Sequence, residues 1–192
     1  FTSGLTNPII PMVNENNYGY WTAIPMQNLG GTATNVTLSY TPTKAGTACT
    51  ETMTIPAYSQ VEFGSYAFVF PGSPYTNWSS TCVFGERFVG NAVVSSNDAS
   101  QPLLGLSNQS TTILPGSDKA AAVMGINPAS ATSKVIFPDV YQWYGTDHWW
   151  TALTITNLSG YSLPVGDISC RAVGTDPGGS VDLTFSNSAA VA

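Results

Sequence analysis

One segment of this chain occurs twice. Trp21-Thr22-Ala23-Ile24-Pro25-Met26-Gln27-Asn28-Leu29-Gly30-Gly31 returns as Trp150-Thr151-Ala152-Leu153-Thr154-Ile155-Thr156-Asn157-Leu158-Ser159-Gly160, with six of eleven positions identical, the rare tryptophan among them. Each copy follows a Pro-x-Val, namely Pro11-Met12-Val13 and Pro138-Asp139-Val140. The aromatic loops in between differ by two residues in length, the usual place for an insertion. A repeat of this kind points to one supersecondary unit used twice. Thr22, Ile24 and Met26, or Thr151, Leu153 and Ile155, would share one face of an extended strand. Asn28-Leu29-Gly30-Gly31 or its counterpart then makes the turn. Trp21 and Trp150 hold the same place in both copies and are expected in the core.

The periodicity elsewhere is that of strands. Val36, Leu38 and Tyr40 alternate with Thr37 and Ser39; Val61 and Phe63 flank Glu62; Phe88, Gly90, Ala92 and Val94 alternate with Val89, Asn91, Val93 and Ser95. Leu104 and Leu106 follow Pro102, and Val181, Leu183 and Phe185 close the series. Turn formers separate these runs at Gly30-Gly31, Ala45-Gly46, Pro71-Gly72, Asn97-Asp98, Pro115-Gly116 and Asp176-Pro177-Gly178-Gly179, as Gly, Pro, Asn and Asp do for backbone reasons. No window sustains a helical i, i+3, i+4 pattern. Short alternating strands with regular punctuation predict an all-β chain, an antiparallel β-sandwich of immunoglobulin-like or jelly-roll-like type. The stretch 109–133 carries the weakest strand signal.

The two copies are unequal. The first extends over roughly 100 residues, the size of a complete sandwich, whereas the second has roughly half that and lacks counterparts of 60–70, 88–95 and 103–107. The expected division is a complete sandwich with an extended N-terminal segment over 1–118, then a linker and a second, partial repeat over 119–192. A half sandwich leaves strand edges and an apolar face in water. Either the natural chain continues past Ala192, or the missing strands come from a neighbouring subunit or from the flank of the first unit.

Composition narrows the function. Of 192 residues, 43% are hydrophobic but only 8% charged, against about 25% charged in an ordinary soluble domain. Five basic and eleven acidic residues give a net charge of −6, which disfavours nucleic acid as a partner because phosphate binding needs clustered Lys and Arg. No run approaches the roughly 18 apolar residues of a membrane-spanning helix. A chain that is polar through Ser, Thr, Asn and Gly and begins at Phe1 reads as a mature extracellular or cell-surface product. Type IV pilins also begin with Phe, but Gly4, Pro8 and Pro11 forbid the long apolar helix that follows there.

Taken together, Pro-x-Val, the aromatic loop, Trp-Thr-Ala, Asn-Leu-Gly/Ser, Asn35-Val36-Thr37-Leu38-Ser39-Tyr40 and Phe88-Val89-Gly90-Asn91-Ala92-Val93-Val94 resemble tandem immunoglobulin-like β-sandwich repeats of uncharacterised secreted bacterial surface proteins. The resemblance covers most of 11–107 and the start of the second copy, and departs over 73–87 and in the short second copy. It implies surface display and no particular chemistry.

Three cysteines allow one disulfide. Cys49 and Cys82 lie beside predicted strands of the first unit and are the expected pair, closing a loop of roughly 33 residues worth about 3–4 kcal/mol in the chain-entropy model. Cys170 is left as a buried thiol or a link to another chain. No spacing suits zinc. His148, the single histidine, has no nucleophile elbow to serve, and Glu51, Glu62 and Glu86 are too scattered to read as a glycosidase pair. No catalytic set and no cofactor are therefore expected. Asp139, Asp147, Asp167, Asp176 and Asp182 could bind calcium or stand solvated in loops, the blander reading. Sequons place glycosylation candidates at Asn35, Asn77, Asn108 and Asn157, with Asn35, next to a turn, the best placed. Trp78, Trp143 and Trp149 are expected in loops, available to a partner protein or, as the second choice, to glycans.

The expected function is a non-catalytic structural subunit of an extracellular filament or fibre, pilus-like, in which identical subunits join head to tail by strand complementation. A cell-surface adhesin or carbohydrate-binding module is the alternative. The expected donor is the extended N-terminal segment, with Leu5, Ile9 and Ile10 entering a neighbour's groove and Trp143 and Trp149 as further interface residues. The competing reading pairs Ile9 to Val13 within its own unit.

Overall fold

The computed structural model describes residues 4–111, 121–135, 153, 155–159, 161–176 and 179–186. The chain divides into two compact units, Phe1–Ser130 and Ala131–Ala192. The first contains β1 (Ile9–Glu15), β2 (Tyr20–Asn28), β3 (Thr34–Ala45), β4 (Cys49–Ile55), β5 (Gln60–Phe63), one turn of helix α1 (Ser65–Phe68), β6 (Trp78–Ser80), β7 (Phe88–Ser96), β8 (Leu103–Thr111) and β9 (Ala121–Met124). These form two antiparallel sheets, ordered β1-β7-β3-β4-β6 and β5-β2-β8-β9. The all-β sandwich expected from the alternating runs is present.

Alternation determines which side chains face inward. On β3, Val36, Leu38 and Tyr40 are buried while Asn35 and Ser39 are exposed; on β7, Phe88, Gly90, Ala92 and Val94 are buried. They join Ile24 and Met26 of β2, Met53 and Ile55 of β4, Phe63 of β5, Phe68 of α1 and Leu103 of β8 in one core. Tyr40, Phe68 and Phe88 meet edge-on or tilted with centroids 5.3–5.9 Å apart, the arrangement aromatic quadrupoles favour.

Where the sheets converge, β1 and the residues before it bridge them. β1 pairs with β7, yet Ile9 exchanges two backbone hydrogen bonds with Ile126 at 2.9 and 2.8 Å, and Leu5 exchanges two with Leu103 at 2.7 Å. Two buried hydroxyls complete the seam. Thr22 of β2 accepts from the Asn14 N–H and donates to the Asn14 carbonyl, both at 2.9 Å, and Ser107 of β8 donates to the Met12 carbonyl at 3.0 Å. A polar residue at an inward position is tolerated because it satisfies backbone groups that the strand mismatch leaves open.

Two expectations are corrected here. Leu5, Ile9 and Ile10 are not free to enter a neighbour: Ile9 is 4% exposed and Ile10 0%, and the segment pairs within its own unit. The unit boundary falls after Ser130 rather than after residue 118, because β9 pairs with β8 and so brings 121–130 into the first sandwich. The Pro-x-Val and tryptophan of the second copy, with Trp143, His148 and Trp149, lie outside the described residues. In the second unit the described strands are β10 (Ser169–Asp176) and β11 (Gly179–Ser186), an antiparallel hairpin in unbroken register from Ser169↔Ser186 to Asp176↔Gly179.

The repeated Asn-Leu-Gly/Ser turn has one geometry in both copies. Asn28 Oδ1 accepts from the Gly30 N–H at 2.8 Å and its Nδ2 donates to the Thr32 carbonyl at 2.7 Å. Asn157 Oδ1 accepts from the Ser159 N–H at 3.0 Å and its Nδ2 donates to the Tyr161 carbonyl at 2.7 Å. This is the asparagine-closed turn in which a side chain imitates a backbone partner.

Gly90 of β7 stands opposite Pro42 of β3, next to the register shift between the two strands. A Cβ there would collide with the Thr41 carbonyl oxygen and stand 2.9 Å from both Phe88 Cζ and Pro42 Cα, with backbone on one side unable to yield. Gly90→Ala is expected to destabilise the first unit by about 1–3 kcal/mol, read as a lowered urea midpoint at unchanged slope.

Candidate functional site

The sandwich carries ionisable groups in its interior. Glu51 occupies an inward position of β4 between Cys49 and Met53 and is fully buried. Its carboxylate accepts three hydrogen bonds: from the Tyr40 hydroxyl of β3 at 2.8 Å and the Gly64 N–H at 2.8 Å on Oε2, and from the Trp78 indole of β6 at 2.7 Å on Oε1. Gly64 can present its N–H because it adopts φ +88°, and a Cβ there would stand 2.7 Å from the Thr22 carbonyl oxygen, so no other residue serves this corner.

Glu15, at the end of β1, is also fully buried but less well provided. Oε2 accepts from the Thr22 N–H at 3.3 Å, and Oε1 has no partner. Burial pushes the Glu15 carboxyl well above the ordinary 4.5, with Glu51 and Glu62 adding repulsion. Burial also raises Glu51, opposed by its three donors. Burial is the largest effect on both carboxyls, and the three donors hold back the rise at Glu51 that Glu15 undergoes with little opposition.

This acid pair is covered on the outside. Trp78 and Tyr75 pack against the core, and the Tyr75 hydroxyl accepts from the Glu62 N–H at 3.0 Å. Cys49 and Cys82 form the expected disulfide, with Cα atoms 4.9 Å apart. The expectation that Trp78 faces a partner is corrected: its indole N–H is used inside the fold. Trp21 is corrected as well. It lies half-buried, on the opposite face of β2 from Thr22, Ile24 and Met26, with its ring edge-on to Phe70 at 5.3 Å. Phe70, Tyr66 and Tyr75 continue from it as an aromatic string with spacings of 6.3 and 6.0 Å.

The remaining candidates are dispersed. Glu86 accepts from the Thr47 hydroxyl at 2.9 Å. Asn35 and Asn108 are exposed on the paired strands β3 and β8, Asn77 is exposed in the turn before β6, and Asn157 closes its own turn. Asp139 and Asp147 lie outside the described residues, and among the described residues no three His, Cys, Asp or Glu side chains gather as a metal ion would require. Cys170 is a half-buried free thiol. The sequence reading missed the Glu15–Glu51 pair, although Cys49-x-Glu51-x-Met53-x-Ile55 places Glu51 on the inward register.

No family model matches the chain, and no curated protein matches it. Among solved structures, the crystal structure of Thermotoga maritima 1070 is similar over 65% of this chain and 95% of that chain, at 10% identity and a TM-score of 0.47. Likeness at that level says nothing of function.

Two predictions test the acid pair. A carboxyl whose folded pKa is raised binds protons in the folded state that the unfolded chain releases, so stability is greatest below about 4.5 and falls as pH rises toward the folded pKa. The slope reaches at most about 1.4 kcal/mol per pH unit for each such group. Glu15→Gln is expected to remove its share of that decline in urea midpoints measured from about pH 4 to 8; an unchanged slope would assign the effect elsewhere. Trp78→Phe keeps the ring packing but strips Glu51 Oε1 of its donor, at an expected cost of about 1–3 kcal/mol by the same measurement.

Proposed function

We propose that the chain is a non-catalytic structural module of an extracellular surface assembly, in which copies join head to tail by strand addition at β9. The observation that carries this reading is the state of the sheet edges. β1 is sealed by its bonds to both sheets. On β5, the Tyr75 hydroxyl occupies an edge N–H. β6 has three residues and is fastened by the disulfide. β9 has no such guard among the described residues: all four of its residues are exposed, Val123 and Met124 at 38% and 42%, and 121–126 carries no charge. Natural sheets protect such edges with charge, bulges or cover, and an unprotected one adds strands. The β10–β11 hairpin of a neighbouring copy is the strand donor in this reading, since among the described residues it is a two-stranded ribbon, and such ribbons are marginal in water by themselves.

In this reading Glu15 and Glu51, both fully buried, serve the fold. The disulfide, together with the lack of any long apolar helix among the described residues, is compatible with secretion. Kinship with tandem immunoglobulin-like repeats of secreted bacterial surface proteins belongs to the same proposal. A second reading, an adhesin or carbohydrate-binding module, draws on the string of Trp21, Phe70, Tyr66 and Tyr75, because rings of this kind stack on sugars.

The test is assembly of the full chain, followed by light scattering and negative-stain microscopy. The wild type is expected to form concentration-dependent linear oligomers. Val123→Lys places a charge on the edge and is expected to abolish them while altering stability by no more than about 0.5 kcal/mol. A wild type that stays monomeric at high concentration, with glycan binding lost in Trp21→Ala, would move the conclusion to the second reading.

A further inference from the structure

We propose that the Cys49–Cys82 disulfide is a redox-operated latch on the β6 edge, whose reduction by a dithiol frees β6 from β4 while the rest of the first sandwich stays folded. The register places the latch. Met53 faces Trp78, Thr52 faces Ser79 and Glu51 faces Ser80; the Thr81 N–H then donates to the Thr50 carbonyl at 2.9 Å. One rung further, Cys82 stands opposite Cys49. On the inward face the successive rungs are therefore Met53/Trp78, Glu51/Ser80 and the disulfide itself.

β6 is the strand such a latch can release. It is three residues long, lies at the sheet edge and pairs with β4 alone. Exposed residues border it on both sides, Thr76 and Asn77 before, beyond the anchored Tyr75, and Val83 and Phe84, at 55% and 56% exposure, after. By contrast β3 is paired along both edges, with β4 and β7. The loop beyond Cys82 keeps its own anchors, from the Gly85 N–H to the Phe68 carbonyl at 2.8 Å and from Asn16 Nδ2 to the Glu86 carbonyl at 3.0 Å. Release is thus confined to the hinge between them.

The chemistry is thiol–disulfide exchange with a dithiol as reductant. Its thiolate attacks Cys82 Sγ, the more accessible sulfur, since Cys82 is half-buried while Cys49 is 8% exposed. The Cys49–Cys82 bond breaks, Cys49 leaves as thiolate and takes up a proton, and a mixed disulfide forms on Cys82. The second thiol of the reductant attacks its own bound sulfur and closes a cyclic disulfide. The mixed-disulfide bond breaks, and Cys82 leaves as thiolate with its electron pair and is protonated in turn. The open form bares the β4 edge at Thr50 to Met53, a strand-acceptor site, and admits water to Glu51. Tyr40 of β3 and the Gly64 N–H keep their bonds to Glu51 in that form, and Glu15 and Glu62 remain near enough to repel it. The device is independent of β9, and its test reads a different strand.

Amide exchange by mass spectrometry decides it, on the full chain in three forms: oxidised, reduced with dithiothreitol, and as the Cys49→Ala/Cys82→Ala double variant. Peptides spanning 78–82 are expected to exchange about 100-fold faster in the second and third forms, with β3 and β7 protection unchanged. Equal protection of β6 in all three forms would overturn the proposal. So would acceleration of β3 and β7 together with β6, because the disulfide would then be a general staple and not a latch.

Discussion

The first sandwich is organised around one buried carboxylate. Glu51 draws its three donors from β3, from the corner before α1 and from β6, so a single side chain holds the five-stranded sheet to the segment that covers it. An unpaired buried charge costs several kcal/mol, whereas one with three short bonds is held at much less. The arrangement is directional. Tyr40, Gly64 and Trp78 each offset part of the cost of burying Glu51, and each is bound into the fold by it. Glu15, with one long hydrogen bond and one bare oxygen, shows what burial does when that provision is missing: its carboxyl is pushed well above the ordinary range.

A second constraint concerns edges. Two sheets of five and four strands leave four edges, and three of them are dealt with by different means. β1 crosses between sheets and exchanges bonds with both, β5 borrows a tyrosine hydroxyl, and β6 is short and covalently fastened. The fourth, β9, is apolar and uncharged. The N-terminal segment, whose prolines and spaced apolar residues suit an edge strand, turns out to fill an edge of its own unit. Ile9 and Ile10 find a groove nearer than any neighbour, and an intramolecular contact carries no cost in association entropy.

The duplicated segment shows how a local device survives in two settings. Asn28 and Asn157 close the same turn with the same pair of bonds. In the first unit Asn28 also donates toward the Ile55 and Pro56 carbonyls at 3.3 and 3.2 Å, linking the end of β2 to the end of β4. The repeat therefore transmits turn geometry directly, while its tertiary ties depend on what is built around it.

By itself, the sequence determined the fold class, most of the strands of the first unit, several turns and the disulfide, because each rests on local rules: period-two alternation, turn residues with special backbone freedom, and two cysteines beside strands. Glu51 was legible in principle from its register with Met53 and Ile55, since a strand's faces follow from alternation alone. What alternation leaves open is partnership. Only the tertiary structure decided that Trp78 turns inward to Glu51, that Trp21 lies on the outer face of β2, that β1 is an internal seam, and that 121–124 forms an edge strand in a stretch with little strand signal. Each of these depends on contacts between residues tens of positions apart, such as Trp78 with Glu51 or Ile9 with Ile126. No local period encodes such contacts; they are selected by which burial and hydrogen-bond pairing the whole sandwich can satisfy at once.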